Sequence, residues 1–335
     1  MHRTFEMTRP NLFHYATSEL SQDAMLCWLA AWADPKNDAD DQQLTALGRE
    51  FLATLFRLHD RPLPAELSSV EVNRQYENID VLIAVNDDIH ICIEDKVGTT
   101  EHSDQLARYV NALVGKGTSA DSILPVYIQT HEQGSYETVK KSGYKVLGRE
   151  QLLDILSTYP EECGNAIVQD FRRHLEQLDA KVNAFRTAPI STWNWFAWQG
   201  FFCELQRLGI DGKWGHVANP RGGFWGFWWH GRRDGASNKY MQLEENRLVF
   251  KINVDEASNR RQVRDEWMSH LLRAAEDHGV DVIRPDRRRV GEAMTVALMG
   301  GDYRVTDSTG VLDMKATLAV LRSAEQVFKA TSLVP

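Results

Sequence analysis

The chain has 335 residues, room for two domains of ordinary size, and its 43% hydrophobic and 25% charged content is that of a globular protein with a sizeable core. A net charge of −9 argues against nucleic-acid binding through bulk electrostatics; no apolar run approaches the ~18–20 residues of a membrane span, and MHRTFEMTRP lacks the apolar centre of a signal peptide, so a cytoplasmic location without membrane contact is expected. Cys27, Cys92, Cys163 and Cys203 show no CxxC or Cys/His spacing, which argues against a disulfide framework and a zinc ribbon and leaves them expected as core thiols.

In SELSQDAMLCWLAAWAD, Leu20, Ala24, Cys27, Trp28 and Ala31 recur at helical spacing, with Ser18 or Ser21 as a cap and Pro35 beyond the end. A helix burying that face is expected. A second helix is expected over about 42–59, then a break at RPLPAELSS and three strands, VEVNRQY, IDVLIAV and HICIEDKV. Asn86-Asp87-Asp88 is a hairpin-like loop between the last two. HSDQLARYVNALVGKG reads as a helix with Leu106, Tyr109, Val110 and Leu113 on one face and Gly115 and Gly117 as stops. SILPVYIQT is a continuous apolar strand of a sheet covered on both faces, YKVLGREQLLDIL is strand, turn and helix, and a polar helix follows over about 161–185.

Composition changes after Pro189, and a domain boundary is expected near 187, giving domains over 1–187 and 188–335. Residues 1–185 hold 17 Lys/Arg against 29 Asp/Glu, a balance of −12, and 186–335 hold 21 against 18, a balance of +3. The second half, with tryptophans clustered in TWNWFAWQGF, GKWGH and GGFWGFWWHG, reads as α+β: a helix, Trp- and Gly-rich strands, the strand RLVFKINV, a charged helix over about 258–278, the strand MTVALMG and a last helix near 313–330. Its tryptophans are expected mostly in a packed core, with base stacking as the minority reading, and RPDRRR at 284–289 is the densest basic patch.

Two of the apolar strands carry charges, and an unpaired buried carboxylate costs several kcal/mol or more. Side chains alternate along a strand, so Glu94 and Lys96 share one face of HICIEDKV while Asp95 points the other way. Asp80 lies opposite Ile79, Val81 and Ile83 in the preceding strand, where hairpin pairing brings it beside Glu94. Two carboxylates and the Asp95 carbonyl suit a hard divalent cation, Mg²⁺ with Mn²⁺ as substitute. A lysine beside them can orient or deprotonate water, which points to metal-assisted phosphodiester hydrolysis. HExxH, Walker A and GxGxxG patterns are absent.

Asp80, thirteen residues and Glu94-Asp95-Lys96, on consecutive strands and followed by a helix, resemble the PD-(D/E)xK nuclease superfamily. QLARY, with Gln105 and Tyr109 at i and i+4, resembles the helix motif of its RecB-like branch. The resemblance covers about 10–160 and implies a restriction-endonuclease-like α/β core, a mixed sheet flanked by helices. It further implies a catalytic set of Asp80, Glu94, Lys96, Glu19, Gln105 and Tyr109, a metal shell drawn from Asp80, Glu94, Asp95 and Glu19, and DNA as substrate. Ile79 stands where many members have Pro. NLFHYATSELSQDA resembles the opening of bacterial members, for which a defence or DNA-processing role follows by kinship.

Each residue has a plainer alternative. Glu94 and Lys96 could form a structural ion pair, Asp80 could sit at a solvated strand edge, and Glu19 could answer a helix dipole. Gln105 and Tyr109 could be ordinary helix residues. At the level of the whole chain, the alternative is a catalytically silent scaffold or sensor subunit of a defence complex. The C-terminal part is expected to recognise a target, sense a ligand or contact a partner, whether another protein or a second copy.

Overall fold

The computed structural model describes residues 10–100, 105–219, 222–235 and 237–331. The chain divides into two compact units, 1–180 and 181–335.

In the N-terminal unit, helices α1 (Glu19–Ala31) and α2 (Gln42–Leu58) precede strands β1 (Val70–Tyr76), β2 (Ile79–Val85) and β3 (Ile89–Lys96). Side chains cap both helices: Ser18 Oγ accepts from the Ser21 amide, and Asp41 accepts from Gln43 and Leu44. Gly48 sits where α2 crosses α1, since a Cβ there would lie 2.8 Å from the Leu29 carbonyl oxygen. Helix α3 (Gln105–Gly115), strand β4 (Ile123–Gln129), a short helix α4 (Glu137–Lys141), strand β5 (Lys145–Gly148) and helices α5 (Arg149–Ser157) and α6 (Ala166–Asn183) complete it. The His102-Ser103-Asp104 opening of the helix expected at α3 lies outside the described residues.

The strands form one mixed sheet in the order β1-β2-β3-β4-β5, antiparallel from β1 to β3 and parallel from β3 to β5. The hairpin between β2 and β3 closes through Asn86 and Asp87 at left-handed φ of 55° and 58°, residues that tolerate that region. Ile83, Ile91, Ile93, Val126 and Ile128 pack on α1, α2, α5 and α6, while Leu82, Cys92 and Tyr127 pack on the α3 side. A sheet covered on both faces accounts for the continuous apolar run of β4.

One expectation reverses here. Helix α1 turns Leu20 and Ala24 to solvent and buries Met25, Leu26, Leu29 and Ala30 together with Gln22 and Asp23. That face packs Met25, Leu26, Leu29 and Ala30 into the core, and on it Gln22 Nε2 donates a 2.6 Å hydrogen bond to Asp95, on the α1 side of β3. The thiols also depart from expectation, for Cys92 is buried, Cys27 and Cys203 are half-buried and Cys163 is exposed.

The C-terminal unit comprises α7 (Trp195–Arg207), β6 (Gly212–Val217), β7 (Phe224–Asp234), β8 (Ser237–Glu244), β9 (Arg247–Val254), α8 (Arg260–His278), β10 (Val282–Ile283), β11 (Ala293–Met299) and α9 (Met314–Ala330). Its antiparallel sheet runs β10-β11-β9-β8-β7-β6. Trp198, Phe201, Trp214, Phe227, Trp229 and Trp267 join one core with α7, α8 and α9. The tryptophans are mostly core residues, as their clustering suggests, with Trp195 exposed. Strand β8, SNKYMQLE, is missing from the elements read off the sequence because its outward positions Asn238, Gln242 and Glu244 are polar and no apolar run marks it.

Candidate active site

Strand alternation sets the site. Glu94 and Lys96, at the end of β3, both face the α3 side and are buried, at 0% and 6% exposure. The pairing of Val81 with Ile93 brings Asp80 level with Glu94, and Asp80 Oδ2 accepts the Asp95 amide at 2.9 Å. Lys96 Nζ then lies 2.5 Å from Glu94 Oε1, 3.9 Å from Asp80 Oδ2 and 3.7 Å from Glu19 Oε2. It also donates to the Asp95 carbonyl oxygen at 3.1 Å. One ammonium thus gathers three carboxylates and a carbonyl oxygen.

The helix residues close around this group. Gln105 Nε2, at the start of α3, donates to Glu94 Oε1 at 3.0 Å and to Tyr109 Oη at 2.5 Å. Glu19, one residue inside α1, takes a 2.5 Å bond from Thr99 Oγ1, a residue the sequence reading did not single out. Asp95 points its carboxylate away, so only its backbone carbonyl shares the side of Lys96. All the residues picked from the sequence therefore lie in one neighbourhood, with the Asp95 carboxylate on the opposite face of the sheet.

Behind the sheet lies a second polar group that sequence reasoning missed. Gln75 Nε2 donates at 3.2 Å both to Asp23 Oδ2 and to Asp80 Oδ1, while Gln22 Oε1 accepts from Thr130. Asp23 is 1% exposed in a helix of apolar composition, and that contradiction was the available signal.

Charge balance is poor. Burial first, then the nearby Asp80, pushes Glu94 up to about 7, against the opposing pull of Lys96. Burial, then Asp80, raises Asp23 to about 6, and burial also raises Asp95. Burial alone would lower the Lys96 ammonium, but its bond to Glu94 and the fields of Glu94, Asp80 and Glu19 outweigh that and raise its pKa. Glu94 Oε2 is buried with no hydrogen-bond partner.

Such a site is short of positive charge and offers only oxygen donors, which fits a hard divalent cation. Among the described residues, no group of three or more His, Cys, Asp or Glu side chains forms a ready cage. The donors that fit are accordingly Asp80, Glu94 and the Asp95 carbonyl, with Glu19 at the rim.

The family model of the PD-(D/E)XK nuclease superfamily matches residues 11–179, just over half of the chain. The chain belongs to this superfamily. Among curated proteins and solved structures no match is found. Proteins of the PD-(D/E)XK superfamily are generally nucleases that use divalent metals, so a nucleic-acid substrate and a hydrolytic reaction follow at that level. The matched span holds the mixed sheet and every charged group gathered around Lys96, whereas the C-terminal unit lies outside it. No helix among the described residues is long and apolar enough to cross a membrane.

Proposed function

We propose that the protein is a DNase that cuts phosphodiester bonds with Mg²⁺ or Mn²⁺ held by Asp80, Glu94 and the Asp95 carbonyl oxygen. The observation that carries this reading is the buried Glu94 carboxylate, with one oxygen on Lys96 at 2.5 Å and the other without a partner. A stabilising ion pair would satisfy both oxygens. A divalent cation bound there supplies Lewis acidity toward a phosphate oxygen. Lys96, anchored on Glu94 and the Asp95 carbonyl, orients the attacking water and offsets charge developing on the phosphate. Gln105 fixes the rotamer of Glu94, and Tyr109 holds Gln105 in turn. Glu19 sits at the partly exposed rim, where it adds an oxygen donor or turns Lys96 toward substrate.

Gln105 and Tyr109 at i and i+4 support placing the chain near the RecB-like branch, with a role in bacterial defence or DNA processing. The C-terminal unit, with the mildly basic balance and the exposed Arg287, Arg288 and Arg289, would select the target or engage a partner. The test is incubation of the purified chain with supercoiled, linear and single-stranded DNA and with RNA, in Mg²⁺, Mn²⁺ or EDTA. Cleavage of DNA that EDTA abolishes supports the reading; inactivity on every substrate, or full activity in EDTA, removes it.

A further inference from the structure

The sheet of the C-terminal unit packs α7, α8 and α9 against one face, through residues such as Phe227, Met241, Leu243 and Phe250. The intervening residues point the other way. On that side a cavity of about 540 Å³ opens, within the ~300–1,000 Å³ usual for small-molecule sites. The strand pairing places Lys213, Trp228 and Gln242 in one row across β6, β7 and β8, and Asn238 opposite Asn253 across β8 and β9, with Tyr240 between. An irregularity between Trp229 and Arg232 bends β7 at the cavity's edge.

This lining is not that of an ordinary solvated sheet face, which carries exposed charges at its centre. Here the centre holds two half-buried rings and three carboxamides, and Gln242 is buried. Among the described lining residues Lys213 and Asp211 balance one another and no arginine joins them, so these residues form no phosphate clamp. Orientation adds chemical detail. Gln242 Nε2 donates to Glu244 Oε1 at 3.0 Å, and Glu244 is itself held by Arg247 at 2.5 Å, so the Gln242 amide is turned with Oε1 left to accept. Asn253 Oδ1 has no hydrogen-bond partner.

We propose that this cavity binds a nucleobase with an exocyclic amine beside an acceptor ring nitrogen, adenine or cytosine. The base is stacked on Trp228 or Tyr240, with its exocyclic amine donating to an amide oxygen. Flat heteroaromatic rings suit the aromatic walls, and amide side chains read base edges through paired donors and acceptors. The base comes either from a free nucleoside or from a single strand. This site lies outside the matched family span and does not depend on the catalytic reading.

The test uses the full chain carrying Glu94→Ala, so that no substrate is cut, and measures binding by calorimetry. The probes are adenosine, cytidine, uridine, adenosine 5′-monophosphate and single-stranded oligonucleotides of adenine or thymine. Amino-bearing bases should bind in preference to uridine, and the 5′-phosphate should add nothing. Trp228→Leu should weaken binding at least ~5-fold, the lower end of one lost stacking contact. Gln242→Met, which keeps the side chain's length, should erase the preference over uridine. Thermal melts show which variant is folded, and either one suffices. Binding confined to oligonucleotides but sensitive to Trp228→Leu assigns the base to a strand; binding of nucleosides assigns it to the free molecule. Absence of binding by every probe at millimolar concentration, or binding untouched by both substitutions, overturns the proposal.

Discussion

Both units bury carboxylates, and Glu204 and Glu325 of the second are treated in the opposite way to Glu94 and Asp23 of the first. In the C-terminal unit Glu204 is clamped by Arg207 at 2.6 Å and Arg186 at 2.9 Å, and chiefly the Arg207 bond holds it down at about 2. Burial would raise Glu325, but His230 and Arg322 outweigh it and bring it also to about 2, while Trp229 Nε1 donates to it at 3.0 Å. In the N-terminal unit Glu94 and Asp23 go up, to about 7 and about 6, first because they are buried and then because Asp80 crowds both, while Lys96 is shared among Glu94, Asp80 and Glu19. A buried carboxylate with its own guanidinium is scaffold. A buried carboxylate left short of charge costs stability, and a fold retains such a cost where the group has chemical work to do.

The largest effect expected from this contrast is on cleavage. Glu94→Ala, Asp80→Ala and Lys96→Ala should each lower the rate at least ~100-fold, the scale of losing one transition-state group, while Glu204→Gln leaves it unchanged. Lys96→Ala should separate from the other two in calorimetry. It removes the ammonium lying among the carboxylates, so Mn²⁺ binding is kept or tightened while turnover is lost.

Stability should diverge next. A carboxylate raised in the fold contributes stability below its unfolded value and loses it as pH rises through the folded value. For Glu94 that window runs from about 4.5 to about 7 in metal-free protein. Glu94→Gln should therefore stabilise the metal-free chain at pH 8, by on the order of 1–3 kcal/mol. Glu325 is depressed, so its contribution is present above about 4.5 and lost as pH falls toward about 2. Glu325→Gln should destabilise at pH 7 by about 2 kcal/mol. Urea melts of the two variants at pH 5 and pH 8 check both signs, and shifts of the same sign at pH 8 would erase the contrast.

A smaller effect is expected at Gln75, which bridges Asp23 and Asp80 from a left-handed φ of 56°. Gly accepts that conformation without strain, so Gln75→Gly should leave the melting temperature unchanged or slightly raised, yet weaken Mn²⁺ binding several-fold. A lower melting temperature with unaltered Mn²⁺ affinity would assign Gln75 a purely structural part.

The sequence shows the outline of this contrast but not its depth. Charges inside apolar runs mark Asp80, Glu94 and Lys96 because strand alternation is a strict period of two, and Gln105 and Tyr109 follow from helical spacing. Helix α1 is harder to read. Its apolar residues surround the axis, so periodicity picks Leu20 and Ala24, whereas tertiary packing of Met25, Leu26 and Leu29 and the bond of Gln22 to Asp95 set the inward face. Thr99 and Gln75 come to the site through chain folding over long separations, which no local pattern encodes. In the second unit the tryptophans announce a core, while β8 stays hidden because its outward residues line a cavity rather than a solvated face.

The proposed function requires the undercompensated carboxylates of the N-terminal unit to hold the ion for cleavage. Its most direct test is Mn²⁺ calorimetry at pH 8 run beside cleavage of supercoiled DNA, on wild type, Glu94→Gln and Glu204→Gln. Binding and cleavage should disappear together in Glu94→Gln and persist together in Glu204→Gln. Cleavage by Glu94→Gln at the wild-type rate, or Mn²⁺ binding unaltered by that substitution, would contradict the account.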